Sequence, residues 1–142
     1  MTVPAQPVTR GSCHCGGVTF EVRLTDGVNT AARCDCSLCL RRGAVAVAAP
    51  LDGLTITSGQ DLLTLYQFGT RKAEHYFCSV CGIYTHHKRR ADPNQWGVNL
   101  ACLDGHTPLL PSVRVSDGVH HPMDTGTSRV LGHLIFTPEG AQ

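Results

Sequence analysis

Eight cysteines are spaced along the chain in a way no ordinary apolar core requires: Cys13-x-Cys15, Cys34-x-Cys36-x-x-Cys39, Cys78-x-x-Cys81 and a solitary Cys102. At this density cysteines serve either as disulfides in an oxidising compartment or as metal ligands in a reducing one. The first ten residues hold no apolar stretch like that of a secretory leader. The longest apolar run, Ala44 to Leu51, is interrupted by Pro50 and is too short to cross a bilayer. The chain is therefore expected in the cytoplasm with reduced thiols, no membrane partner, and metal bound to its cysteines.

Spacing divides the cysteines into two kinds. Zinc takes four tetrahedral sulfur or nitrogen ligands, and structural sites join two chelating pairs that lie far apart in sequence. Cys13-x-Cys15-Gly16 and Cys78-x-x-Cys81-Gly82 both run straight into glycine. A glycine there lets the backbone take a positive φ and turn amides toward the sulfurs. These pairs predict one closed four-cysteine site. Cys34-Asp-Cys36-Ser-Leu-Cys39 instead offers three ligands in a row, followed by Leu40-Arg41-Arg42. Three ligands leave a fourth position for water or substrate, and the arginines favour an anion. Two other readings stay open: Cys102 closes this site too, or a disulfide forms within Cys34–Cys39. Cys102 lies in an apolar stretch, Val98-Asn-Leu-Ala-Cys102-Leu, where a buried inert thiol is common.

The rest of the chain reads as short strands cut by turns. Val18 to Leu24 alternates apolar and polar residues up to Asp26-Gly27. Similar runs are Ala44–Ala49, Leu54–Thr57, Leu63–Phe68, His75–Phe77, Ile83–His87, Trp96–Ala101, Ser112–Val115 and Leu131–Phe136. No long helical period occurs, and one turn of helix is allowed at Ser37–Arg42. The class is mostly β, stabilised by metal. Residues 1–10 read as a flexible arm and 137–142 as a tail, leaving a single domain over 11–136.

Three further segments could meet a ligand. His86-His87-Lys88-Arg89-Arg90 is either a solvated loop or an anion contact. Trp96 suits a core or rim position. His120 and His121, between Asp117 and Asp124, could face an active cleft. Arg41, Arg42, His86, His87, Arg89 and His120 are thus the candidate substrate contacts. A formal net charge of +1 gives no overall field for nucleic acid, which is not an expected partner. Nucleotide loops, serine-nucleophile elbows and His-Glu-x-x-His motifs are absent from the sequence.

Taken in order, Gly11-Ser-Cys13-His-Cys15-Gly16-Gly17-Val18-Thr-Phe20, Cys34-Asp-Cys36-Ser-Leu-Cys39 and Phe77-Cys78-Ser-Val-Cys81-Gly82 resemble the glutathione-dependent formaldehyde-activating enzyme family, which shares its domain with centromere protein V. The resemblance implies a β-tent fold of antiparallel sheets with two zinc ions. It implies a closed site at Cys13, Cys15, Cys78 and Cys81 and a catalytic one at Cys34, Cys36 and Cys39. The implied activity is carbon–sulfur bond formation and cleavage, adding glutathione to formaldehyde to give S-(hydroxymethyl)glutathione. The chain is shorter than the family's named enzyme, and its His86–Arg90 run has no counterpart of known role. A non-catalytic zinc module, binding a protein or nucleic acid through that basic run, is the alternative.

Overall fold

Phe20, Val22 and Leu24 are buried, while the intervening Thr19, Glu21 and Arg23 are half-buried at the other face. This period-two pattern makes one side of a strand core and the other surface. The computed structural model describes residues 7–140. Its strands are β1 Val8–Ser12, β2 Thr19–Arg23, β3 Ala32–Cys34, β4 Ala46–Pro50, β5 Leu54–Ser58, β6 Leu63–Tyr66, β7 Glu74–Cys78, β8 Tyr84–Lys88, β9 Gln95–Asn99, β10 Ser112–Ser116 and β11 Val130–Ile135. Helix α1 is Ser37–Arg42 and α2 is Pro122–Thr125.

Two sheets result. One is ordered β1-β2-β5 and the other β11-β10-β3-β4-β9-β8-β7-β6. Neighbouring strands are antiparallel, apart from the parallel pair β3 and β10. Within the larger sheet β3 meets β4 through one residue pair, Ala32 with Ala46. The core lies between the sheets: Phe20 and Val22 of β2 pack with Val47 and Ala49 of β4 and with Val98 of β9. Burying each large apolar side chain there contributes roughly 1.5–3 kcal/mol. Val47, Ala48 and Ala49 are all buried, so β4 is covered on both faces and reads as a continuous apolar run.

The architecture is the mostly β one the sequence requires, with two departures. Strand β1 begins at Val8, inside the arm expected over residues 1–10; the part of that arm before residue 7 lies outside the described residues. After Phe136, residues 137–140 form only a turn, and the final two residues lie outside the described part. The His86–Arg90 run is not a solvated loop, because it starts within β8, held between β7 and β9. Among the described residues no helix is long and apolar enough to cross a membrane.

Candidate metal centres

Two hairpin tips meet where the sheets join. Cys13 follows β1 and Cys15 stands in the β1–β2 turn; Cys78 ends β7 and Cys81 stands in the β7–β8 turn. The tips share one backbone pattern. Cys13 N–H donates to Val18 O and Cys78 N–H to Ile83 O, each at 3.0 Å, while Gly16 and Gly82 donate back to Cys13 and Cys78. Gly16 and Gly82 take φ of 78° and 77°, a left-handed conformation that favours glycine. Amides of Gly17, Val18 and Val80 donate to Cys15, Cys13 and Cys78 Sγ at 3.3–3.4 Å. The sulfur-facing donors are thus neighbours of the turn glycines rather than the glycines themselves.

All four sulfurs lie within 4.8 Å of one another, with Cys13–Cys15 at 3.6 Å and Cys15–Cys78 at 3.7 Å. A tetrahedral zinc with sulfurs at about 2.3 Å spaces them about 3.8 Å apart. The donor set fits that ion. Cys13 and Cys78 are buried, and Val18, Leu62 and Leu63 close around them. The backbone amide of Cys15 draws the Cys81 thiol down to about 6, opposed by desolvation and helped by the amide of Ile83. A thiol held low in this way is ready to serve as a thiolate ligand.

The second group is local. Cys34 ends β3, Cys36 caps the start of α1, and Cys39 stands in its first turn. Cys34 Sγ accepts from Cys36 N–H and Cys36 Sγ from Cys39 N–H, both at 3.4 Å. The three sulfurs also lie within 4.8 Å of one another. Hydrogen bonds from the Cys34 and Cys39 side chains hold Cys36 far below the usual thiol range, against desolvation, and the pairing with Cys36 drives Cys34 up. Negative charge drawn toward Cys36 in this way lies where a cation would bind. Three thiols can supply three of the four ligands zinc prefers.

The loop after β10 lies directly on this trio. Asp35, between two of the cysteines, accepts from Gly118 N–H at 2.8 Å and Val119 N–H at 3.2 Å. A Cβ at residue 118 would stand 2.8 Å from Cys36 Cβ and overlap Cys34 Sγ, so only glycine allows this approach. Cys102 belongs to neither group. It is a core residue donating its S–H to Tyr84 O at 3.6 Å, and burial pushes its thiol up to about 12. All eight cysteines are free thiols, so no disulfide links Cys34 and Cys39.

Beside the trio, α1 and strands β6–β8 enclose a cleft of about 570 Å³. Arg41 and Arg42 stand on its helical wall; Tyr66, His75, Phe77 and Tyr84 face them. The Arg42 guanidinium lies 3.7 Å above the Tyr84 ring. It donates to His75 Nδ1 at 3.1 Å and to Cys39 Sγ at 3.6 Å. Since arginine only donates, His75 Nδ1 is an acceptor. Burial, then Arg42, pulls His75 down to about 4, so the ring is neutral at neutral pH. His75 stacks on His87 at 5.1 Å, and His87 Nδ1 meets Tyr84 Oη at 2.6 Å. Arg42, His75, His87 and Tyr84 therefore hold one another around the cleft wall.

Of the expected substrate contacts, the cleft gathers Arg41 and Arg42 directly and His87 through this ring of contacts. His86 lies outside the lining. It is 3% exposed, stacked on Tyr76 at 4.9 Å with Trp96 edge-on at 5.1 Å. Arg89 is part-buried at the end of β8, and burial lowers its basicity. His120 is exposed and pairs with buried Asp117 at 3.1 Å, two residues beyond Gly118. His75, Tyr84, Asp35 and Gly118 were not anticipated. Only strand alternation signalled the first two, and the Asp117-Gly118 turn the last.

Sulfur groups on two hairpin tips and one helical turn, set in a mostly β domain, define a small protein with two clusters that could hold metal ions. The sequence model of the family described as glutathione-dependent formaldehyde-activating enzyme matches residues 8–116, and the chain belongs to that family. The crystal structure of a Rhodobacter sphaeroides protein is similar at 56% identity and a TM-score of 0.69, over 70% of this chain and 91% of that one. The family match ends at Ser116, the last residue of β10. The Gly118 loop and β11 lie beyond it.

Proposed function

We propose that this protein makes and breaks the carbon–sulfur bond between a thiol and a small aldehyde, as a zinc-dependent lyase working in the cytoplasm. The reaction is the addition of glutathione to formaldehyde giving S-(hydroxymethyl)glutathione: sulfur bonds to the aldehyde carbon, and the thiol proton ends on the carbinol oxygen. The reading rests on one contrast. Cys13, Cys15, Cys78 and Cys81 form a complete tetrahedral set, whereas Cys34, Cys36 and Cys39 form a set of three with Cys102 engaged elsewhere. Zinc held by the three would stabilise a substrate thiol as thiolate and polarise the aldehyde oxygen.

The chain's own groups have clear parts in this scheme. Three thiolates around the ion would leave it negatively charged, and Arg42 at Cys39 Sγ would offset that, favouring one more anionic sulfur. His75, neutral and accepting from Arg42, keeps the guanidinium in place without competing for the anion. The Gly118 backbone covers Cys34 and Cys36, which screens that side from water. The test is metal quantification joined to glutathione titration, followed at the zinc–sulfur distances. Two zinc ions per chain, only one changing its coordination with thiol, is the expected result. Two ions each ringed by four protein sulfurs, indifferent to thiol, would leave a scaffold without chemistry.

A further inference from the structure

The charged side chains that line the cleft beside the three cysteines, Arg41 and Arg42, are of one sign. Among the described residues the ion pairs are Arg23–Asp52, Lys88–Glu74, Arg90–Asp124 and His120–Asp117, so Arg41 and Arg42 meet no carboxylate. Neither aspartate nor glutamate lines the cleft. Glu74, the acid next to His75, is already engaged by Tyr76 Oη at 2.7 Å and by Lys88 at 3.9 Å. Arg41 donates one bond, to Ser37 O at 2.9 Å. Arg42 has two partners, His75 and Cys39, for its five N–H donors. The facing wall is aromatic.

We infer that this cleft binds the body of the thiol substrate through its carboxylates and offers no carboxylate to an α-ammonium. The substrate class is then carboxylate-bearing thiols, of which glutathione is one member and not the best fitted. The inference rests on the lyase reading above. Guanidinium groups match carboxylates in a two-point fork, and the aromatic wall accepts an apolar stem. An ammonium entering beside two arginines loses hydration and meets their like charge, with no carboxylate on the lining to offset it. A volume of about 570 Å³ lies within the range of small-molecule sites.

The test uses protein loaded with cobalt(II), whose absorption reports thiolate ligation. It is titrated with glutathione, with glutaryl-cysteinyl-glycine (glutathione without its ammonium) and with mercaptoethanol. The glutaryl peptide is expected to bind about threefold to tenfold tighter than glutathione, and Arg41→Gln to weaken both about tenfold, one charge-assisted contact being removed. Mercaptoethanol, lacking a carboxylate, should not change. Arg42→Lys, which keeps the charge, should retain the preference and guards against a loss that merely reflects disturbed packing at Cys39. Glutathione binding tenfold tighter than the glutaryl peptide, or an Arg41→Gln protein with unaltered affinities, overturns the inference. A spectrum that answers all three thiols equally keeps the reaction and removes the cleft's role. One that answers no thiol removes the lyase reading, and this one with it.

Discussion

The four-cysteine and three-cysteine groups use the same ligand but hold very different amounts of the fold. In the first, Cys15 and Cys78 are 63 positions apart and belong to different sheets, so any ion they share ties those sheets together. The second lies within six residues, from Cys34 at the end of β3 to Cys36 and Cys39 at the start of α1, a six-residue helix with no buried residue. Metal affinity becomes folding free energy only where ligands would otherwise be apart. Ligation across distant segments makes a staple; ligation within six neighbouring residues makes a tool that can be removed without dismantling its mount.

The sharpest way to break this comparison is to remove one sulfur from each group. Cys78→Ser should cost on the order of 10 kcal/mol, about the whole stability of a domain, and abolish the cooperative melt. Cys36→Ser should also lose one metal and all turnover, yet melt within a few degrees of the parent. Circular dichroism melts beside metal quantification decide it, and identical melts would erase the distinction.

Acid sharpens the picture of the clamped half. Burial draws His86 from 6.5 down to about 4, so between those values the unfolded chain binds a proton that the folded one refuses. Stability must then fall as pH drops through that window, by on the order of 2–3 kcal/mol from this residue. Denaturant midpoints at pH 7 and 5 should show a smaller difference in His86→Phe. An unchanged slope would mean that His86 is solvated.

On the three-cysteine side, Gly118→Ala forces a methyl group onto Cys34 and Cys36. It should weaken metal at that group about 10- to 100-fold, the usual cost of disturbing the support around a site. Competition with a chelator measures this, and the four-cysteine ion should be retained. The smallest effect belongs to Cys102→Ala: about 1–2 kcal/mol in a denaturant melt for a small core cavity, with two metals still bound. Loss of one metal there would make Cys102 a ligand after all.

The strand pattern and the turn glycines were legible because their causes are local. Phe20 and Val22 advertise their strand, and Gly16 and Gly82 follow cysteines that need a turn. Strand β1 was hidden because its Gly11 looks like a breaker, when its bare Cα makes room for the Phe20 ring. Strand β3 is three residues long and depends on β10, some eighty positions later. His86 looked like surface because histidine is polar, yet neighbours distant in sequence give it an aromatic bed. The contact of Gly118 with Cys34 spans a similar gap. No window of local sequence contains it.

One rung, Ala32 with Ala46, joins the leaf formed by β3, β10 and β11 to the remainder of the larger sheet. Paper tears along its perforation, and a hydrogen-bonded ladder opens first where its rungs are fewest. If that leaf swings out, it carries Cys34 away from Cys36 and Cys39 while both hairpin tips stay gripped by their own sulfurs. Opening there would disturb the three-cysteine group before the four-cysteine one.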